Sequence, residues 1–387
     1  MGTKTVTKAL AGVEDCLMGS EVRTQVRAGQ NVQVTGLSGA GIPLNAALGG
    51  SIEEAISSIT GETDNLEASV TALEARSNRN YIINGNFQIW QRGTSTSQSD
   101  GYHAADRWAN REFGGSFTAS RQAHTLGQVV VPGNPQYFMR TDVSAGADQN
   151  GFCLLGQAIP AATSAGGSTV TLSFWAKADT PVTIATEYEQ VFDDSATPPP
   201  VEGIGITKHN LTTTWQKYFC TVLIPTIDSG LVYNNKNSYL GLYIWLSAGT
   251  TYDGRTGGIG LQSGVIDISQ IQVEVGEVVT DFETEYESTT LVKCQHFFQR
   301  GTVLLGGYTE AGILNGYRQS LPINTRTLPE IQNIVNVKAD NVTGGTVTTN
   351  LSDSVVMQAT GVASGVYLSE ITFDVYAELG PVPHPNP

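Results

Sequence analysis

Short stretches of alternating hydrophobic and polar residues dominate the chain after residue 80. Between residues 80 and 287 these stretches are rich in β-branched and aromatic residues and are separated by Gly, Pro, Asn and Ser. This pattern predicts strands at 128–131, 169–176, 182–188, 216–224, 239–246 and 265–275. A second block predicts strands at 302–305, 317–323, 331–338, 354–359 and 366–379. We expect a mainly β protein, with an antiparallel β-sandwich of jelly-roll type over 78–287 and a small C-terminal β-sandwich tip domain over 288–380.

A different period runs through residues 52–73. Residues spaced alternately by four and three form a heptad seam, which consists of Ile52, Ile56, Ile59, Thr63, Leu66, Val70 and Leu73. Isoleucine at both core positions of a heptad favours three strands over two. We therefore predict a trimeric coiled coil over 51–77, which makes the chain a homotrimer. The alternative is one amphipathic helix packed on its own domain, but the apolar stripe is narrow for that role.

The two ends of the chain lack the side chains for a core of their own. Residues 1–50 contain brief apolar alternations interrupted by glycine, and we expect this segment to become ordered by docking on a larger partner. Residues 381–387 contain four prolines and are expected to form an extended tail.

Composition narrows the possible partners. Only 15% of the 387 residues are charged, and 43 are glycine, which suits many short strands and turns. The net charge of −15 argues against nucleic acid as a partner, because phosphate backbones attract basic proteins. No apolar stretch approaches the length of a membrane span and no secretory signal is visible, so we expect a product made in a cytoplasm, with no membrane insertion and with its four cysteines as free thiols.

The sequence offers little support for catalysis. The five histidines are isolated and show no zinc-binding spacing, so no metal or other cofactor is expected. Glu187 and Glu189 share one face of a predicted strand, as the two carboxylates of a glycan-cleaving depolymerase would. An acidic chain contains such pairs by chance, so we expect the protein not to be an enzyme and retain depolymerase activity as an alternative.

Six local motifs occur in a fixed order along the chain. They lie at 80–94, 105–108, 171–177, 214–219, 268–283 and 294–300. This series resembles the distal part of bacteriophage tail-fibre and receptor-binding proteins. Within it, residues 80–283 resemble the jelly-roll carbohydrate-binding modules that are attached to many glycoside hydrolases.

The resemblance implies a homotrimeric phage virion fibre. Such a fibre would be assembled in the host cytoplasm, attach to the phage tail or another virion protein through residues 1–50, and bind host cell-surface polysaccharide without cleaving it. The alternative is a structural or decorating virion fibre that has no glycan site.

Sugar recognition needs aromatic faces together with planar polar side chains. We expect exposed loops to supply them, and the candidates are Tyr233, Asn235, Tyr239, Tyr252, Asp253 and Arg255, with Tyr102 and Arg107 as further members. Modules of the resembled type often hold a structural calcium, and the corresponding positions here are Asn84, Gln88 and Asp267. Gln88 is neutral where the resemblance implies a glutamate, which weakens a calcium site, so we predict no metal.

Overall fold

The computed structural model describes residues 33–34, 42–43, 80–97, 100–161, 164–192, 199–227 and 237–378. The chain divides into two compact units, Met1–Asn78 and Arg79–Pro387. In the first unit, strand β1 (Gln33–Val34) pairs with β2 (Ile42–Pro43) in antiparallel fashion. The predicted heptad seam, the remainder of the anchoring segment and the C-terminal tail lie outside the described residues.

One sheet of the larger sandwich has five antiparallel strands. They are β4 (Ala109–Phe113), β7 (Phe152–Pro160), β9 (Val182–Val191), β10 (Val201–Leu211) and β12 (Tyr239–Ala248). Their order across the sheet is β10-β9-β12-β7-β4, which places β12 at the centre.

The facing sheet has six strands. They are β3 (Ser95–Thr96), β5 (Ser116–Ala123), β6 (Tyr137–Ser144), β8 (Thr169–Ala178), β11 (Gln216–Leu223) and β13 (Gly264–Val275). Their order is β11-β8-β13-β6-β5-β3. The chain repeatedly crosses from one sheet to the other, as in a jelly roll.

The main core lies between these two sheets. Alternate residues of a strand point to opposite faces, so Leu240, Leu242 and Ile244 of β12 meet Leu172 and Phe174 of β8 in that core. At the intervening positions of β12, the aromatic side chains of Tyr239, Tyr243 and Trp245 point away from this core. The predicted β-sandwich is therefore confirmed, and its five-stranded sheet has a second buried face.

Two short helical segments and a smaller sandwich complete the second unit. A 3-10 turn (Thr250–Tyr252) leads into α1 (Asp253–Thr256), and α2 (Glu287–Gln295) precedes the smaller sandwich. The strands of the latter are β14 (Phe298–Thr309), β15 (Leu314–Ser320), β16 (Glu330–Asp340), β17 (Val342–Leu351), β18 (Ser354–Gly361) and β19 (Gly365–Tyr376). They form two sheets of order β14-β19-β16 and β15-β18-β17 around their own core.

The strand predicted at 128–131 is wrong. The Gln128 side chain accepts a hydrogen bond from the Val131 backbone N–H and donates one to the Val131 carbonyl, so the chain turns here. Val129 and Val130 are exposed. A run of β-branched residues is not enough for a strand when one side chain already satisfies the local backbone.

Two other sequence expectations concern the described residues directly. Cys153, Cys220 and Cys294 are unpaired and buried, as expected of free thiols. Among the helices that the structure describes, none is both long enough and apolar enough to span a membrane.

Candidate functional site

The outer side of the five-stranded sheet is buried but is not aliphatic. Tyr239, Tyr243 and Trp245 of β12 project from it, and β9 contributes two acidic side chains. We call this surface the outer polar face, and its members are Tyr102, Arg111, Glu187, Glu189, Tyr239, Tyr243, Trp245 and Arg255. Strand register brings them together, because Tyr243 lies opposite Glu187, and Gly241 lies opposite Glu189.

Small residues make room for the rings. Tyr243 faces Gly156 of β7 across the sheet, and Trp245 faces Ala185 of β9. A Cβ atom at Gly241 would lie 3.0 Å from the Tyr243 ring. Glycine at 241 therefore allows that ring to lie flat along its own strand.

Arg255 of α1 holds the acidic side chains of β9. Its Nε donates to Glu187 Oε1 at 2.8 Å, and its Nη2 lies 3.3 Å from Glu189 Oε2. Glu187 also accepts from the Trp245 indole at 2.9 Å and, through Oε2, from the Gly203 backbone at 2.9 Å. Both oxygens of Glu187 are thus occupied, which suits an anchor for the helix better than a proton-transferring acid or base.

Five polar atoms of the outer polar face lack hydrogen-bond partners among the described residues. They are the hydroxyls of Tyr102, Tyr239 and Tyr243, Nε of Arg111 and Oε1 of Glu189. The Tyr243 hydroxyl approaches both Glu189 and Tyr239, and the Tyr102 hydroxyl approaches Arg107, but none of these pairs reaches hydrogen-bonding geometry. An unsatisfied buried polar group costs about 1–3 kcal/mol, so several on one surface call for partners from outside the chain.

Burial sets the protonation of these groups. It raises the pKa of Glu189 to about 7, although the nearby Arg255 opposes the rise. It raises the pKa of Tyr102 to about 12 and drives the pKa values of Tyr239 and Tyr243 further upward. At neutral pH the tyrosines are protonated, and the Glu189 carboxyl is present in both its protonated and its ionised form. Together these groups can donate hydrogen bonds to a hydroxyl group and accept hydrogen bonds from it.

The structure corrects the expectation that the predicted glycan residues are exposed. Tyr239 and Tyr252 are each only 3% exposed, and Arg255 and Tyr102 are also buried. Tyr239 packs in a cluster with Phe297, and the ring of Tyr252 lies 5.2 Å from that of Trp245. These four predicted residues lie on or beside one face, but as covered groups rather than as loop tips.

The other predicted glycan residues have different fates. Arg107 is buried at the junction between the two sandwiches, where it pairs with Glu378. Asp253 is exposed at the start of α1. Tyr233 and Asn235 lie outside the described residues. The sequence analysis missed Arg111, Tyr243 and Trp245, although the alternation of aliphatic and aromatic residues within 239–246 already distinguished two faces of that strand.

The three calcium candidates are not brought together. Asn84 forms reciprocal hydrogen bonds with the Ile89 backbone, and Gln88 donates to Thr290 at 2.9 Å. Asp267 accepts two hydrogen bonds from Arg140, at 2.7 and 2.9 Å. No group of three His, Cys, Asp or Glu side chains suited to a metal ion occurs among the described residues.

No family model matches this chain, and comparison with curated proteins gives no match. Several solved structures are similar over about half of it. One described as "CBM4 structure and function" is 18% identical, covers 50% of this chain and 98% of its own, and has a TM-score of 0.29. The N-terminal cellulose-binding domain of Cellulomonas fimi β-1,4-glucanase C is 13% identical, covers 49% and 100%, and has a TM-score of 0.28.

A further similar structure is the family 11 carbohydrate-binding module from Clostridium thermocellum, solved in complex with a β-1,3-1,4-mixed-linked tetrasaccharide. It is 11% identical, covers 48% of this chain and 98% of its own, and has a TM-score of 0.28. TM-scores this low establish neither a common fold nor a common ligand.

Proposed function

We propose that the outer polar face binds carbohydrate without cleaving it. The observation that carries the proposal is the set of five unpartnered polar atoms among aromatic rings on one face of the sheet. Sugar hydroxyls both donate and accept hydrogen bonds, and pyranose C–H groups pack on aromatic rings. For such a ligand to satisfy the tyrosine hydroxyls, the Arg111 Nε and the Glu189 oxygen, the groups that cover these atoms must move aside, because the atoms are buried in the chain as it stands.

The proposal extends to the whole particle. The chain would be a homotrimeric phage virion fibre, assembled in the host cytoplasm, attached to the tail or another virion protein through residues 1–50, and directed at host cell-surface polysaccharide. The heptad seam at 52–73 and the ordered series of motifs support this assignment. Three copies of a weak site would then bind together, so that avidity replaces single-site affinity.

The smaller sandwich supplies separate support for association between copies. The outer side of its β14-β19-β16 sheet exposes apolar side chains: Tyr308 lies opposite Val366, and Leu304 lies two alternate positions away along β14. Contiguous apolar surfaces of this kind mark interaction sites. One charged pair of this sheet, Arg300–Asp374, is compensated within the chain.

A purely structural fibre is the second candidate. The observation that favours it is the burial of the outer polar face, whose rings are covered in the chain as it stands. Covered rings can serve as packing alone. The two candidates differ in what the buried hydroxyls do, and substitution of the hydroxyls distinguishes them.

The first experiment uses the full chain. We would measure its mass in solution, its binding to an array of neutral and acidic bacterial oligosaccharides, and its binding to host cells before and after periodate oxidation of their glycans. Glycan binding predicts signal on the array and loss of cell binding after oxidation. A trimer that binds cells equally well after oxidation, or binds neither cells nor array, contradicts it.

A matched pair of variants assigns the site. Tyr243→Phe removes one unpartnered hydroxyl from the outer polar face, whereas Tyr188→Phe removes one from the core side of β9. Only the first is expected to weaken glycan binding. Equal binding by both variants would move the site elsewhere.

A further inference from the structure

The junction between the two sandwiches is built around Arg107. Its guanidinium is fully buried, pairs with the Glu378 carboxylate, donates to the Ala158 carbonyl at 2.6 Å and stacks 3.5 Å from the centre of the Phe297 ring. Glu378 follows β19 and Phe297 immediately precedes β14, so both belong to the smaller sandwich. Arg107 and Ala158 belong to the larger one.

A second arginine strengthens the same junction. Arg92 reaches Glu378 at 2.9 Å and stacks 3.6 Å from the centre of the Phe298 ring. Its guanidinium also lies 5.0 Å from the centre of the Tyr376 ring. One carboxylate of the smaller sandwich therefore holds two buried cations of the larger sandwich, which fixes the docking geometry.

These junction groups also border the outer polar face. Tyr239 packs in one cluster with Ala158 and Phe297. The Arg107 guanidinium lies 5.7 Å from the centre of the Tyr102 ring. Tyr102 and Tyr239 carry two of the three unpartnered tyrosine hydroxyls of the outer polar face. Tyr239 thus packs on Phe297 of the smaller sandwich, and Tyr102 lies beside Arg107, which Glu378 of the smaller sandwich holds in place.

The backbone at Arg107 has an unusual conformation that serves this junction. Its φ is +73°, in the left-handed region that residues other than Gly, Asn and Asp rarely adopt. The surrounding turn is closed by a hydrogen bond from the Trp108 N–H to the Ala105 carbonyl at 3.0 Å. A buried guanidinium that lost its carboxylate would be left uncompensated, so we expect it to move and its neighbours to follow.

We propose that the smaller sandwich completes the carbohydrate-binding face, with Arg107 and Glu378 as positioning residues that fix Tyr102 and Tyr239. The inference rests on the proposed function of that face. It makes binding a property of the two sandwiches together rather than of the larger one alone. Because one set of contacts serves both, ligand binding and domain docking stabilise each other reciprocally.

The binding test uses the full chain with Glu378→Gln. This change removes the charge that both arginines share but keeps a similar shape, and we expect at least tenfold weaker binding to the oligosaccharide that the wild type binds on the array. Asp353→Asn is the matched control, because it neutralises an exposed carboxylate of the same sandwich, which pairs with Arg318 and accepts a hydrogen bond from the Ser354 hydroxyl. Unchanged affinity for Glu378→Gln would overturn the inference.

Phe297→Leu is the second variant, and it tests the positioning role if Glu378→Gln does not fold. It removes the ring that stacks on Arg107 and packs on Tyr239 while keeping an aliphatic side chain. We expect a loss of affinity with cooperative unfolding retained. Affinity within twofold of the wild type would contradict the positioning role.

A spectroscopic measurement separates positioning from binding. In chains labelled with 3-fluorotyrosine, the ¹⁹F resonances of Tyr102, Tyr239 and Tyr188 are assigned by their Tyr→Phe variants. We expect Glu378→Gln to shift the first two and to leave that of Tyr188, which lies in the main core, unchanged. Unmoved resonances overturn the positioning role whether or not a glycan binds, whereas a wild type that binds no glycan rejects the proposed function.

Discussion

A tyrosine hydroxyl buried without a partner lowers the stability of the folded state, because it has given up its hydrogen bonds to water and gained none in return. Such a group persists at low cost only if something else satisfies it. On the outer polar face the hydroxyls of Tyr102, Tyr239 and Tyr243 share this condition with the Glu189 carboxyl. At the scale of single residues, removal of one of these hydroxyls should therefore raise the stability of the folded state and weaken glycan binding.

Tyr243→Phe tests this opposition. Removal of the hydroxyl should raise the free energy of unfolding by up to about 1 kcal/mol, because an unsatisfied polar group disappears with little change in shape. The same change should weaken glycan binding at least tenfold, about 1.4 kcal/mol. Urea denaturation and oligosaccharide titration measure the two quantities. If the hydroxyl instead holds structural water, the variant loses stability and keeps its affinity.

Glu189 makes stability depend on pH. Its pKa is about 7 in the folded chain against an ordinary value of 4.5, so the folded state binds the proton more tightly than the unfolded state. Its favourable contribution is complete below about pH 4.5 and is lost as the pH rises through about 7. Glu189→Gln should abolish this loss, so the unfolding free energy of the variant should decline less than that of the wild type between pH 4.5 and 8.

The control for Glu189→Gln is a variant that alters a carboxylate outside the outer polar face. Asp353→Asn, which removes an exposed carboxylate, should keep the pH profile of the wild type over the same range. Parallel profiles for Glu189→Gln and the wild type would show that another group causes the pH dependence.

At the scale of elements, α1 depends on its ion pairs. The helix has only four residues, too few to be stable alone, and Arg255 attaches it to Glu187 and Glu189 of β9. Arg255→Met would leave the buried Glu187 and Glu189 carboxyl groups without their cation, and at pH 8, where Glu189 is mostly ionised in the wild type, it should lower the free energy of unfolding by about 3–5 kcal/mol. Arg318→Met, at an exposed pair with Asp353, should cost less than about 1 kcal/mol.

Adding Glu187→Gln and Glu189→Gln to Arg255→Met distinguishes lost charge balance from lost packing. Neutral amides remove the uncompensated charge, so the triple variant should regain most of the stability that Arg255→Met loses. Failure to regain it would assign the loss to packing. The measurement is a set of denaturation curves, recorded at one pH, for the wild type, Arg255→Met, the triple variant and Arg318→Met.

The accuracy of the sequence-based prediction differed between elements for identifiable reasons. The strand at 239–246, a continuous apolar run buried on both faces, was predicted nearly to its ends, whereas β7, which is buried over all but its last residue, was not predicted. The polar strand β10 was missed, since only His209 and a few other side chains of it are buried. The candidate rings Tyr102, Tyr239 and Tyr252 are buried on or beside the outer polar face, and no local pattern revealed that Phe297 packs on Tyr239 from the other sandwich.

At the scale of the whole molecule, the smaller sandwich exposes many large hydrophobic side chains. Half of the exposed large hydrophobic side chains of the described residues lie between Leu304 and Val366. The outer side of β14-β19-β16 carries the exposed side chains of Leu304, Tyr308 and Val366, whereas the outer side of the opposite sheet is rich in threonine, as at Thr343 and Thr360. The proposed trimer would cover the apolar side and leave the polar side in water.

Leu304→Glu and Leu314→Glu compare the two sides. The native leucines are 60% and 58% exposed, so the two substitutions differ mainly in which sheet they alter. A carboxylate at 304 would be desolvated at the proposed contact between copies, and we expect at least tenfold easier dissociation, about 1.4 kcal/mol for each contact. The variant at 314 should assemble like the wild type. Mass measurements over a dilution series decide: equal dissociation of both variants would remove the contact from the β14-β19-β16 face, and a monomeric wild type would overturn the trimer itself.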